Sequence, residues 1–165
     1  MTTCYIGLGS NMCQPVQQLV TARDAIDKLE DCKLIRCSSI YQSKALTLDD
    51  EPQDDYCNAV IKIETQLSAE ALLDALQRIE NNQGRVRTKR WGARTLDLDI
   101  ILYGSQSIQT QRLIVPHAEM ANRDFVLLPL YEIAPDVEIP GNKTLKELTA
   151  NYENSSLKIV GEFNG

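Results

Sequence analysis

No stretch of this 165-residue sequence approaches a membrane-spanning helix, which needs a run of about 20 apolar residues. The N-terminus has no basic segment followed by an apolar stretch, so no secretory signal is expected. Histidine is nearly absent, with His117 alone. The five cysteines (Cys4, Cys13, Cys32, Cys37, Cys57) are odd in number and lack Cys-x-x-Cys spacing. A zinc site is therefore not expected, and reduced thiols in a cytoplasmic protein are the simpler reading. Cationic residues are the minority, 17 Lys and Arg against 23 Asp and Glu, for a net charge of −6. That balance argues against nucleic acid as the main partner, since such affinity comes from neutralising phosphates. A phosphate-binding loop is missing as well. Gly7-x-Gly9 is followed by Met12 rather than a third glycine, and no Gly-Lys-Ser/Thr occurs after it. The expectation there is a tight strand-to-helix turn.

What remains is an ordinary globular balance, 43% hydrophobic and 24% charged. The length is enough for one domain with a proper core, and no internal repeat, linker or low-complexity segment divides it. Residues 3–8 read as a short strand ending in the Gly7-x-Gly9 turn. Pro15 suits the first turn of a helix to about Leu29, with Val16, Leu19, Ala22, Ile26 and Leu29 as its apolar stripe. Lys33 to Tyr41 reads as a strand, 42–55 as a polar, acidic loop, and Cys57 to Thr65 as a second alternating strand. Ser68 is a candidate N-cap for a helix carrying Leu72, Leu73, Leu76 and Ile79 to near Gly84. A basic loop follows, and then a strand from Thr95 to Tyr103. The predicted class is α+β, a ferredoxin-like βαββαβ antiparallel sheet with its helices on one face plus C-terminal additions. Those additions are a short extended piece from 108, a helix over Phe125 to Ile133 and a small helix near Lys143 to Ala150. No element is assigned after Tyr152. The second face of the sheet is expected to be free to build a site with loops 42–55 and 84–94.

The most informative run is Arg90-Trp91-Gly92-Ala93-Arg94-Thr95-Leu96-Asp97-Leu98-Asp99-Ile100-Ile101. Side chains alternate across a strand, so Asp97 and Asp99 share one face while Leu96, Leu98, Ile100 and Leu102 are expected on the other. Two adjacent carboxylates repel unless a cation compensates them. Such hard oxygen ligands suit Mg²⁺, which takes one or two carboxylates plus substrate phosphates and waters. Arginines beside such a site are what a transferring phosphoryl group requires. Each part alone is commonplace, because an Asp-x-Asp can be the wet face of a strand and a basic run a solvated loop. Together they point to a nucleotide-dependent phosphoryl or pyrophosphoryl transferase.

The same run resembles the signature of the 6-hydroxymethyl-7,8-dihydropterin pyrophosphokinase family. So do Gly7-Leu8-Gly9-Ser10-Asn11, Tyr56-Cys57-Asn58, Gln77-Arg78-Ile79-Glu80, Gly84-Arg85-Val86-Arg87, Val115-Pro116-His117 and Asn122-Arg123-Asp124-Phe125. The resemblance covers nearly the whole chain and implies pyrophosphoryl transfer from ATP to a pterin alcohol in folate biosynthesis, with release of AMP. It implies that Asp97 and Asp99 bind two Mg²⁺ ions, and that Arg85 and Arg94 act with them in catalysis. Gln77, Arg87, Arg94, His117 and Arg123 would contact ATP. Ser43, Leu46, Tyr56, Asn58, Trp91 and Phe125 would hold the pterin, with Asn58 reading its edge and Tyr56 and Phe125 stacking on its faces. Glu80 and Gln77 share a helical face at i and i+3, where they reach the site or finish a polar helix surface. Where family members carry a proline-rich stretch, this chain has Ser43-Lys44-Ala45-Leu46 and then Asp49, Asp50, Glu51, Asp54 and Asp55. That acidic run is expected to point away from the nucleotide or to stay mobile. The partners implied are small molecules only, with no nucleic acid or membrane, and a monomer is expected.

Two other classes stay open at this point. A ferredoxin-like RNA-binding module would account for the basic 85–94 loop, but such modules carry exposed aromatics on their central strands. This strand offers Asp97 and Asp99 instead. A non-catalytic ligand-sensing domain is compatible with the fold, and leaves the clustered Asp and Arg residues without a purpose.

Overall fold

A computed structural model of the chain describes residues 1–10, 15–43, 56–83, 96–118, 120–141, 144–152, 155 and 157–163. Strand β1 (Thr2–Ser10) precedes helix α1 (Pro15–Asp27), strands β2 (Cys32–Cys37) and β3 (Ser39–Ser43), and the long strand β4 (Tyr56–Thr65). Helix α2 (Ala69–Asn82) and strand β5 (Asp97–Tyr103) complete a β-α-β-β-α-β order, the two middle strands counted as one. A small hairpin of β6 (Ile108–Gln109) and β7 (Ile114–Val115) follows, then α3 (Asp124–Ile133), α4 (Leu145–Thr149) and β8 (Lys158–Glu162). The main sheet runs β5-β1-β4-β3-β8, with β2 also on β4, and every pairing is antiparallel.

The local signals behave as their physics requires. Ser68 caps α2, its hydroxyl accepting from the Ala71 N–H at 3.2 Å, which satisfies one of the orphan donors of the first turn. Leu72, Leu76 and Ile79 are buried on one stripe of α2, as are Leu19, Ala22 and Ile26 on α1. Val16, expected on the α1 stripe, is instead 38% exposed. Arg23 is buried where periodicity marked nothing. Its guanidinium pairs with Asp24 at 2.8 Å and sits 5.4 Å from the Phe163 ring centroid, which compensates the charge.

Several expectations change. Gly7 and Gly9 do not make a turn, because β1 continues through them to Ser10, paired on both sides. The single strand expected over Lys33 to Tyr41 is two strands parted at Ser38. There the Ser38 hydroxyl accepts from the Val60 N–H and the Ser38 N–H donates to the Val60 carbonyl, each at 2.9 Å. Alternation along β5 breaks near its end. Leu96, Leu98 and Ile100 join the core under α1 and α2, but Ile101 and Leu102 both join a second core. The cause is a register shift opposite Tyr5/Ile6, where Ile6 pairs with Ile100 and Tyr5 with Leu102. One extra residue in a strand turns the side chains after it to the other face.

The second face is not free. Val126, Leu127, Leu130 and Ile133 of α3, with Leu145 and Leu148 of α4, pack over it against Tyr5, Val60, Ile101 and Leu102. The Arg36 guanidinium donates to the last α3 carbonyl, Ile133, at 3.3 Å. Glu132 accepts from the Ser39 N–H at 3.0 Å, the Ser39 hydroxyl at 2.8 Å and the Tyr41 hydroxyl at 2.6 Å. The tail holds an unexpected strand, β8, on the β3 edge. Ile159 and Val160 there are 59% and 45% exposed, so no apolar alternation marked it.

Burial pushes the Cys4 thiol up to about 12, helped by the neighbouring Cys32, and raises Cys32 and Cys37 as well. Tyr5 and Tyr41 are raised in the same direction, Tyr41 by burial first and then by Glu132. The buried Cys4 and Cys32 thiols are neutral and unreactive at neutral pH. Above pH 9 the unfolded thiols ionise while the folded ones do not, so their stabilising contribution is present below that pH and is lost as pH rises toward 12. Urea midpoints measured from pH 7 to 11 should therefore fall only above about 9, and thiol reagents should label these cysteines only on unfolding.

Candidate active site

The site is built across the sheet from β1, the strand between β5 and β4. Gly9 pairs with Asp97 and Gly7 with Asp99 on one side; on the other, Gly9 pairs with Asn58 and Gly7 with Val60. Tyr41 of β3 pairs with Asn58 in turn. Because paired residues share a face, Asp97, Gly9, Asn58 and Tyr41 form one row over four strands, and Tyr56 lies two residues from Asn58 on that same face. This is the face opposite α1 and α2. Asp97 and Asp99 are half-buried, and Asn58 is buried.

The glycines explain how these side chains coexist. A Cβ on Gly9 would stand 2.8 Å from the Asn58 Oδ1, so the carboxamide leans over a strand position that must have no side chain. A Cβ on Gly7 would crowd the Ile101 Cδ1 at 3.2 Å, with Ile101 Cγ1 at 3.5 Å and the Asp99 carbonyl at 3.9 Å in ordinary contact. Bare backbone therefore lies beside each carboxylate.

Beyond the outer edge of β5, the chain comes back through a cis Val115–Pro116 peptide. The His117 N–H donates to the Ile101 carbonyl at 3.1 Å, which fixes His117 two residues along from Asp99. A 3-10 turn, Met120–Asn122, then leads to Arg123, whose carbonyl starts α3 by accepting from the Val126 and Leu127 N–H groups, each at 3.0 Å. The Arg123 guanidinium lies 5.6 Å from the Phe125 ring centroid, within cation–π range. Phe125 is half-buried against the second core, so it both packs and shows part of its ring.

The predicted site residues are thus placed unevenly. Asp97, Asp99, Asn58 and Tyr56 come together on one face, with Ser43 paired to Tyr56 at the end of β3. His117 joins from the β5 edge, and Arg123 and Phe125 sit at the start of α3. Gln77 is exposed on α2, over the opposite face. Leu46, Arg85, Arg87, Trp91 and Arg94 lie outside the described residues, as does the acidic run 49–55. Glu80 is buried, its carboxylate accepting from the Leu98 N–H at 2.8 Å between the two aspartates. Tyr41 was not singled out, because only the long-range register puts it beside Asn58.

Among the described residues no group of three or more His, Cys, Asp or Glu is arranged to hold a metal. The donor set expected from the sequence is the Asp97/Asp99 pair, half-buried on one face of β5. That chemistry fits Mg²⁺, whose remaining ligands come from phosphate and water, and does not fit the three protein ligands of a catalytic zinc.

Residues 5–135 match the family of 7,8-dihydro-6-hydroxymethylpterin-pyrophosphokinases (HPPK). The chain is 55% identical over 152 residues to a 2-amino-4-hydroxy-6-hydroxymethyldihydropteridine pyrophosphokinase of Haemophilus influenzae, covering 92% of this chain and 94% of that one. It is 47% identical over 146 residues to the Pseudomonas aeruginosa protein of the same name, covering 88% and 89%. A crystal structure of wild-type Plasmodium falciparum HPPK-DHPS with pteroate has a similar fold, with a TM-score of 0.73 at 13% identity. This chain is covered to 93% there and spans 43% of that longer protein. The family match and the names of these relatives define a pyrophosphokinase. This chain belongs to the HPPK family.

Gly9→Ala should force the Asn58 carboxamide aside and cost about 1–3 kcal/mol by urea denaturation. Gly7→Ala, relieved by rotation of Ile101, should cost less. Equal losses, with the Asn58 side-chain amide signals unmoved in an NMR spectrum, would contradict the crowding described.

Proposed function

We propose that this chain transfers the pyrophosphoryl group of ATP to the hydroxymethyl oxygen of 6-hydroxymethyl-7,8-dihydropterin, releasing AMP, in folate biosynthesis. The observation that carries this reading is the row of Asp97, Gly9 and Asn58 with Asp99 beside it, in a chain of the HPPK family. The hydroxymethyl oxygen attacks the β-phosphorus in line, the bond from that phosphorus to the α,β-bridging oxygen breaks, and AMP leaves with that oxygen. The hydroxyl proton is released.

Little covalent work falls to the protein, so its contribution is positioning and charge stabilisation. Asp97 and Asp99 would hold Mg²⁺, two ions being the expectation. Bound there, the metal neutralises phosphate charge and makes the alcohol more acidic. Arg85, Arg87, Arg94 and Arg123 are assigned to the phosphates, with Arg85 and Arg94 acting at the transferring group. His117 can donate a ring N–H to a phosphate oxygen even when neutral. Gln77 is assigned to ATP from the helix side.

The acceptor is a flat ring with donors and acceptors on its edge. Asn58 suits that edge because a carboxamide offers both, and its burial removes competing water. Tyr56 and the exposed part of Phe125 supply aromatic surface, and Ser43, Leu46 and Trp91 are assigned to the pterin as well. The βαββαβ order with β1 and β4 central supports a ferredoxin-like core extended by β8 and covered by α3 and α4. The assignment is one catalytic domain over 1–165, acting as a cytoplasmic monomer. No helix of the described residues is long and apolar enough to cross a membrane.

Incubation with Mg²⁺, ATP and the pterin should yield AMP in step with pterin consumed, and a chelator should abolish it. ADP as the product would make the enzyme an ordinary kinase and overturn the reading. Asp97→Ala and Asp99→Ala should each lower turnover at least about 10²-fold, roughly 2.7 kcal/mol of transition-state stabilisation. Near-normal turnover in either variant would remove that aspartate from the metal site.

A further inference from the structure

Glu80 is the one buried acidic residue among the described residues, with 5% of its surface exposed. It sits on α2 among Leu72, Leu76 and Ile79, on the face that packs against β5. A carboxylate in such a place costs free energy unless it is hydrogen-bonded, and an apolar side chain would fill the same space at less cost. What the carboxylate does there is specific. Its Oε2 accepts from the Leu98 N–H at 2.8 Å, across 18 residues of sequence. Leu98 is the residue between Asp97 and Asp99.

The geometry of β5 gives this bond its importance. A strand's N–H groups point alternately to its two sides, and β5 has β1 on one side only. The Leu98 N–H faces away from β1, and among the described residues no strand lies on that side to receive it. Glu80 takes the place of a neighbouring strand there, its carboxyl oxygen accepting the N–H at 2.8 Å. The backbone carrying the two aspartates is thus held from both sides, by the β1 ladder and by one side chain from α2.

We propose that Glu80 is a positioning residue for the Asp97/Asp99 pair. It fixes the β5 backbone so that both carboxylates keep a metal-binding spacing, and it touches neither metal nor substrate. This rests on the reading of Asp97 and Asp99 as Mg²⁺ ligands. Residues that orient metal ligands from behind typically matter by about 10- to 100-fold in affinity or activity.

The test compares Glu80→Ala, Glu80→Asp and Glu80→Gln with the natural protein. In the metal-free protein, the Leu98 amide should exchange at least about tenfold faster in Glu80→Ala, while amides of β1 and β4 keep their protection. Calorimetric titration of Mg²⁺ in the presence of a non-hydrolysable ATP analogue should show binding weakened about 10- to 100-fold. Affinity for the pterin alone should stay within about twofold, since Asn58 and Tyr56 lie on a different strand. Turnover should fall with the Mg²⁺ affinity, with KM for the pterin unchanged. Glu80→Gln, whose carboxamide oxygen can accept the same bond, should restore Mg²⁺ binding to within about threefold. Glu80→Asp is one methylene too short to reach and should behave like Glu80→Ala, which keeps the test open should the alanine variant fail to fold.

Unchanged Mg²⁺ affinity in Glu80→Ala or Glu80→Asp, with only a lower unfolding temperature, would overturn the proposal. So would a Glu80→Gln variant as impaired as the other two, because that would assign the effect to charge instead of position. Absence of AMP formation by the natural protein would count against the catalytic reading alone. Amide exchange at Leu98 would still report whether Glu80 holds the strand.

Discussion

The antiparallel register of β1 between β4 and β5 is the constraint on which the rest of the structure depends. It aligns Gly9 with Asp97 on one side and Asn58 on the other, and Gly7 with Asp99 and Val60. A slip of one residue would send Gly7 and Gly9 into the core and bring Leu8 out between the carboxylate and the carboxamide. The buried alternation of Cys4, Ile6 and Leu8 against α1 and α2 prevents that slip. The same apolar residues that stabilise the fold therefore set the register of the site. Core and site are the two sides of one strand.

The opposite face shows how the space is divided. Over β3, the middle of β4 and the end of β5 it is covered by α3 and α4, which bury Val60, Ile101 and Leu102. Toward the start of β5 it carries the aspartates, the glycines and Asn58. The bulge at Tyr5/Ile6 lies at this division. It lets β5 present carboxylates at one end and two consecutive apolar residues to α3 and α4 at the other. Glu132 and Arg36 fasten the C-terminal end of α3, while its N-terminal end carries Arg123 and Phe125. One short helix thus closes the second core and holds up two candidate site residues.

Much of this was legible from local rules. The Asp97/Asp99 pair follows from the period of a strand, the start of α2 from Ser68, and the βαββαβ order from the sequence of periodic segments. What was not legible depends on neighbours far away in sequence. Gly7 and Gly9 read as a turn because glycine usually marks one, and only the strands on either side show why a strand needs them bare. Glu80 looked like a choice between helix surface and site, since periodicity does not say which stripe meets β5. Tyr41 joins the row through its pairing with Asn58. β8 carries exposed Ile159 and Val160 next to Gly161, a composition with no alternation to detect. The arginines of 84–94 were marked by their charge and by the family motifs they stand in, and their placement falls outside the described residues.

The bare strand at Gly7 and Gly9 also limits how such an enzyme can diversify. Room beside Asp97 is created by the absence of any side chain, and an absence cannot be adjusted in small steps. The smallest possible replacement adds a whole methyl group against Asn58. Change in small steps is therefore closed at Gly9. Gradual change is open instead at row positions that carry side chains, such as Tyr41 and Tyr56. The bare strand is the part of this row least able to change.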